Sequence, residues 1–244
     1  MTPALDEIWV YLSASPLLGL TLTLAAYQAA FWLYRRAGFH PLANPVLLSV
    51  AMLASVLLVT RTPYQTYFDG AQFVHFLLGP ATVALAIPLY AQWSRLKAMA
   101  GPLVIALVAG SLTAALSAWG IGALLGASRE SLMSLAPKSV TTPIAMAVAE
   151  RLGGLPSLTA VLVITTGILG AIGARYLYRW LRIDDHAVKG FAIGIASHGI
   201  GTARAFQLSE QAGAFAALAM GLNGLVTAVT LPWIMPWVER LFAR

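Results

Sequence analysis

The sequence predicts an all-α polytopic membrane protein of about seven spanning helices plus one or two broken or re-entrant elements, forming a single integral membrane domain over residues 1–244. Three observations carry this expectation. The chain is 59% apolar and only 10% charged, with a mean hydropathy of +0.78. Its apolar residues fall in runs that match the ~20 helical residues needed to cross ~30 Å of hydrocarbon. Two stretches, APKSVTTPIAMAVAE (Ala136–Glu150) and GIASHGIGTARA (Gly194–Ala205), set cations and hydroxyls beside helix breakers inside this apolar chain, where both are costly.

The runs follow in order. Ile8–Tyr34 carries no charge, and the residues before it include Asp6 and Glu7, the wrong polarity for a cleavable signal. Ala37–Thr60 contains only His40 and is expected to span from near Pro45, and Ala71–Ser94 contains only His75, with Pro80 and Pro88 as breakers. Ala98–Ser128, Leu152–Ala174 and Gln211–Val238 are charge-free and long. No polar stretch is long enough to fold on a core of its own.

The net charge of +6 comes from bases set singly or in pairs at the ends of the runs, where the positive-inside rule puts them, so they read as topology determinants and not as a nucleic-acid surface. The clusters are Arg35/Arg36, Arg95/Lys97, Arg175/Arg179/Arg182/Lys189 and Arg240/Arg244, each with aromatics beside it. All four are expected in the cytoplasm, with the N-terminus outside and the C-terminus cytoplasmic. The absence of cysteine excludes disulfides, thiolate metal sites and thiol catalysis.

Counting crossings under that rule, Ser131–Arg151 must enter and leave on one side. Only eleven uncharged residues separate Lys138 from Glu150, which as helix cover about 16 Å. Gly190–Ala203 behaves alike, with fourteen uncharged residues, four of them glycine. The chain also resembles itself weakly: PATVALA from Pro80 matches PIAMAVA from Pro143, and each precedes a long run opening at Pro102 or Pro156. Two explanations stay open, an inverted repeat of the transporter type and the chance recurrence of small residues in a chain rich in Ala, Leu and Gly.

The chemistry of the two motifs follows from their residues. Pro143 cannot donate, so a helix through it leaves the carbonyl of Ser139 without its partner, and a helix starting there aims its free N–H groups at an anion. Lys138 adds a full charge, and Ser139, Thr141 and Thr142 add hydroxyls. In the second motif Ser197, His198, Thr202 and Arg204 surround Gly199 and Gly201, whose bare backbone allows a ligand close, and Arg204 offers a fork for a carboxylate. Asn223, in the middle of the last run, is a further polar contact. Together these residues describe a site for a small anionic carboxylate, with Pro80 and Pro143 as helix breaks. Plainer roles compete at each position: interfacial snorkelling for Lys138 and Arg204, a neighbour's hydrogen bond for His198, and helix packing for the hydroxyls and glycines. No metal-ligand spacing, carboxylate pair or Ser/His/Asp set appears in the apolar regions, so neither a metal, a cofactor nor an enzyme is expected. His198 is the motifs' one titratable group with an ordinary pKa near neutrality, which makes it the candidate for proton coupling.

PKSVTTPIAMAVAERLGGLP, GIASHGIGTARA, PLANPVL and LGPATVALAIPLY resemble the LrgB family, also called CidB/LrgB or YohK-type membrane proteins, over Leu17 to Trp237. The family pattern is kept from Lys138 to Pro143 at the positions named, and from Ser197 to Arg204. The resemblance implies a bacterial inner-membrane protein, often paired with a smaller LrgA/CidA-like membrane protein, and a homo-oligomer is open. Bacterial members are described as antiholin-like modulators of murein hydrolase activity and autolysis. The related plastid glycolate/glycerate translocator moves small 2-hydroxy monocarboxylates, and bacterial pairs are implicated in pyruvate uptake. Two functions therefore compete: secondary transport of a small monocarboxylate, and an antiholin-like role at the cell wall.

Overall fold

Helix breakers and small residues decide where this chain turns. The computed structural model describes residues 16–40 and 43–242, and every regular element among them is helical. The part of the first run before residue 16, with Asp6 and Glu7, lies outside the described residues, as does Arg244. The chain divides into two units, residues 1–84 and 85–244, each described by itself.

The first unit holds α1 (Pro16–Arg36), α2 (Pro45–Val59), α3 (Tyr64–Phe76) and α4 (Leu78–Ala84). Asn44 starts α2 by accepting the N–H groups of Val46 and Leu47 at 2.9 and 3.2 Å, while Pro45 fills the first position, where no N–H is needed. Helix α1 packs on α2 and α3, closely enough that Gly19 rests on the backbone of Gly70 and Ala71. Thr23 Oγ1 meets the Tyr67 hydroxyl at 2.7 Å. Pro80 sits in the first turn of α4, and its ring excludes the carbonyl of Phe76, where α3 stops.

The second unit contains α5 (Ala86–Ala91), α6 (Trp93–Ala98), α7 (Ala100–Leu124), α8 (Arg129–Leu135), α9 (Thr142–Leu152), α10 (Pro156–Trp180), α11 (His186–Leu208) and α12 (Glu210–Phe242). Across the described residues four helices are long and apolar enough to cross a membrane, or five if Tyr64–Val74 and Gly79–Ala91, bent by 43°, count as one. The expected number was about seven. The difference has physical causes: α2 has 15 residues, about 22 Å of helix, prolines interrupt the run after Ala71, and the two polar motifs turn back.

Helix α11 shows the turning back most clearly. Straight, its 23 residues would separate the ends by about 34 Å. Yet Ser209 Oγ, just past one end, lies 2.9 Å from Nδ1 of His186 at the other, and Ile193 shares an apolar cluster with Ala205. The reversal occurs at Ser197 (φ −131°, ψ 16°) and His198 (φ 41°, ψ −134°). The first arm is seated on α12 through Gly190 and Gly194, whose missing side chains let it rest on the backbone of Ala212 and Ala216. Gly190→Val is expected to lower the melting temperature by about 3–10 °C through overpacking. Gly173→Val, where a Cβ would meet nothing within 4 Å, is the control, and equal losses in thermal-shift assays would refute this account of the seat.

The segment from α8 to α9 is the second reversal. Ser134 Oγ accepts the N–H of Leu155 at 2.7 Å, so the chain leaves where it entered. Helix α9 then runs beside the later part of α12, with Ile144 against Gly224 and Val148 and Leu152 clustered with Leu231 and Met235. The two re-entrant elements thus enter from opposite ends of α12. Gln211 bonded to Gln92 marks one end, and the Arg129–Glu239 ion pair at 2.7 Å marks the other.

One expectation is corrected here. Arg95 pairs with Asp185 at the end of the unit where α11 begins, whereas the final turns of α12, carrying Glu239 and Arg240, lie at the opposite end, where Trp119 meets Phe242. The Arg95, Arg175–Lys189 and Arg240 clusters therefore do not share one side. The cause is α11: as a hairpin it returns the chain to the side it came from, and α12 then crosses.

Candidate functional site

The two reversals leave backbone carbonyls without helical partners, and one side chain collects them. Pro143 stands in the first turn of α9, so no N–H is available to the carbonyl of Ser139, and the break at Ser197 and His198 disturbs the ladder above Ile195. Asn223 of α12 donates from Nδ2 to the Ser139 carbonyl at 3.3 Å and to the Ile195 carbonyl at 3.0 Å. Its Oδ1 accepts from Ser111 Oγ of α7 at 2.5 Å. Asn223 is 1% exposed, so its amide is committed to these partners, and it joins both tips to α12 about 20 Å along from its start.

The tip of the first element is Lys138–Thr142. Lys138 is half-buried, and Nζ donates to Ser139 Oγ at 3.2 Å. Thr141 precedes α9 in extended conformation, but its hydroxyl makes no capping hydrogen bond to the helix. The first-turn N–H groups of α9, with the positive end of its dipole, therefore face the tip uncapped. Thr141 and Thr142 are partly buried beside them.

The tip of the second element is built against α10. Nε2 of His198 lies 3.0 Å from the Val163 carbonyl, which can only accept, so this nitrogen carries the hydrogen. The imidazole stands over Gly167, where a Cβ would come within 2.8 Å of the ring, and Ser197 Oγ occupies the space of a side chain at Gly170. Thr202 Oγ1 donates to the His198 carbonyl at 2.9 Å. Gly201 is required by the close return of the chain, since a Cβ there would lie 2.8 Å from the Ile193 carbonyl, whereas a Cβ at Gly199 would meet only Met220 Sδ at 3.8 Å. The second arm, residues 199–208, begins at this tip, so its N-terminus also faces the centre. Ser197 Oγ, in a residue 1% exposed, has no hydrogen-bond partner among the described residues.

The structure thus brings Lys138, Ser139, Thr141, Thr142 and Asn223 together with Ser197, His198, Gly199, Gly201 and Thr202. Arg204 is not among them. Six residues beyond His198 on the second arm, about 9 Å of helix, it bonds Gln207 at 2.8 Å and lines a cavity with Arg179 and Lys189. Pro80 belongs to the other unit. Sequence reasoning missed Gly167, Gly170 and Ser111. The spacing of Gly167 and Gly170 on one helix face and the hydroxyls of the apolar α7, Ser111 among them, were the available signals.

Two helix N-termini, an ammonium and several hydroxyls around a shared amide can hold one small anion and release it without covalent chemistry. Comparison with known proteins agrees with a shared scaffold. The LrgB-like family profile matches residues 23–237. The uncharacterized protein YwbG of Bacillus subtilis is 36% identical over 222 residues, which is 91% of this chain and 98% of YwbG. The antiholin-like protein LrgB of Bacillus mycoides is 30% identical over 225 residues, 92% of this chain and 97% of that protein. No solved structure matches. A profile match over nearly the whole chain, with relatives matched almost end to end, makes this membrane protein a member of the LrgB-like family.

Proposed function

We propose that this chain carries a small monocarboxylate, of the glycolate, glycerate, lactate or pyruvate type, across the bacterial inner membrane by alternating access, with an LrgA-like membrane protein as its partner. The observation that supports it is the meeting of two re-entrant tips from opposite ends of α12 at Asn223, with Lys138 beside them. Discontinuous helices whose N-termini face one central point are the arrangement by which secondary transporters bind anions. Lys138 neutralises the carboxylate, the first turns of α9 and of residues 199–208 supply N–H donors, and Ser197 and the threonines supply hydroxyls. In this reading the Arg95/Lys97 and Arg175–Lys189 clusters are cytoplasmic and no chemical step takes place.

A second reading is favoured by the name of the 30% identical relatives, antiholin-like protein LrgB. In it the chain acts through its assembly on murein hydrolases, and the tips serve packing alone. Uptake of labelled glycolate, lactate and pyruvate into proteoliposomes, with and without an LrgA-like partner, separates the two. Saturable uptake in either arrangement is the expected result. Folded, inserted protein that moves none of the three in any arrangement would transfer the assignment to the antiholin-like role.

A further inference from the structure

The cavity that takes Arg204 away from the tips is a site in its own right. It has a volume of about 460 Å³ and is lined by Arg175 and Arg179 of α10, Arg182 just past its end, Lys189 of the first arm of α11 and Arg204 of the second, with Asp184 as its one carboxylate. Among the described residues no carboxylate forms an ion pair with Arg175, Arg179, Arg182 or Lys189; the ion pairs present are Arg95–Asp185 and Arg129–Glu239. Lys189 and Arg204 are partly buried, so their charges repel across a surface that water screens incompletely. Arg182 has φ +53°, a left-handed position after a helix where glycine is the default.

Five basic groups against one acid exceed what a single carboxylate balances. They suit an anion with several oxygens and more than one negative charge, and guanidinium forks match a phosphate in geometry. The exposed faces of Tyr176, Leu177, Trp180 and Leu181 continue from the same end of α10, which is the pattern of an interfacial, lipid-facing surface. Because Lys189 and Arg204 stand on opposite arms of the hairpin, an anion between them ties the arms together near their open ends.

We propose that this cavity binds a phosphate-bearing anion, whose two sources are the headgroup of an anionic phospholipid and free phosphate, and that the bound phosphate fastens the α11 hairpin. The test is the melting temperature of the full chain in detergent, titrated with phosphatidylglycerol, with zwitterionic phosphatidylcholine or with inorganic phosphate. An increase of about 5 °C, as for a ligand at ~100 times its Kd, is expected with phosphatidylglycerol and absent with phosphatidylcholine; an equal rise with inorganic phosphate identifies the free ion as sufficient. The Arg175→Gln/Arg179→Gln/Arg182→Gln variant should lose the rise, and Arg182→Gln alone, at an exposed residue, should halve it or more if the triple variant does not fold. Arg35→Gln/Arg36→Gln should keep it. No rise with either anion, or equal loss in the Arg35/Arg36 variant, would overturn the proposal.

Discussion

Lys138→Ala should reduce carboxylate uptake in proteoliposomes by about 100-fold or more, because a partly buried charge that has lost its counter-charge costs the complex roughly 3 kcal/mol. The protein should remain folded. Among the described residues Lys138 makes one side-chain hydrogen bond, to Ser139 Oγ at 3.2 Å, and the tip backbone is held by Asn223 instead. The thermal midpoint should therefore stay within a few degrees while transport is lost. Lys138→Arg keeps the charge but replaces a compact ammonium with a wider fork, so partial uptake with a raised KM is expected. Uptake near the wild-type rate in Lys138→Ala, alongside measurable wild-type uptake, would remove this tip from the substrate site.

Asn223→Leu should damage stability and transport together. It removes two donated bonds, to the Ser139 and Ile195 carbonyls, and one accepted from Ser111. Buried groups left unsatisfied cost about 1 kcal/mol or more each, so a loss of ~3 kcal/mol and a midpoint lower by about 6–12 °C are expected. Ser111→Ala breaks only one of the three and should cost about a third as much. If the two substitutions are equally mild in thermal unfolding, the amide does not join the tips in the working protein.

Much of the helical organisation is legible in the residues because hydrophobic run length is a local property. Ala98–Ser128, Leu152–Ala174 and Gln211–Val238 became Ala100–Leu124, Pro156–Trp180 and Glu210–Phe242, with ends shifted by capping and proline. The stranded Ser139 carbonyl was also legible, since Pro143 lacks an N–H wherever it stands. That Gly190–Ala203 breaks was expected from its length and its four glycines, but the seat of the hairpin was not legible. It depends on Gly190 and Gly194 reaching the backbone of Ala212 and Ala216 and on Gly167 and Gly170 receiving His198 and Ser197, contacts that no window of the sequence contains. The charge rule misled because placing both Arg175–Lys189 and Arg240 in the cytoplasm needs two crossings between them, and the hairpin at 186–208 makes none, so Arg240 came out at the far end. Arg204 was assigned to the tip by its closeness in sequence to His198, but on a helix that distance is travelled along the axis.

The entry of the two hairpins from opposite ends of α12 has a consequence for sidedness. In a carrier built this way the barrier toward each compartment is a different piece of chain: residues 136–152 close one approach to the centre and residues 197–208 close the other. The two compartments then see one anion site through two unlike entrances, so an inhibitor shaped for one entrance has no counterpart at the other. Discrimination between import and export can be altered in one hairpin without rebuilding the site they share.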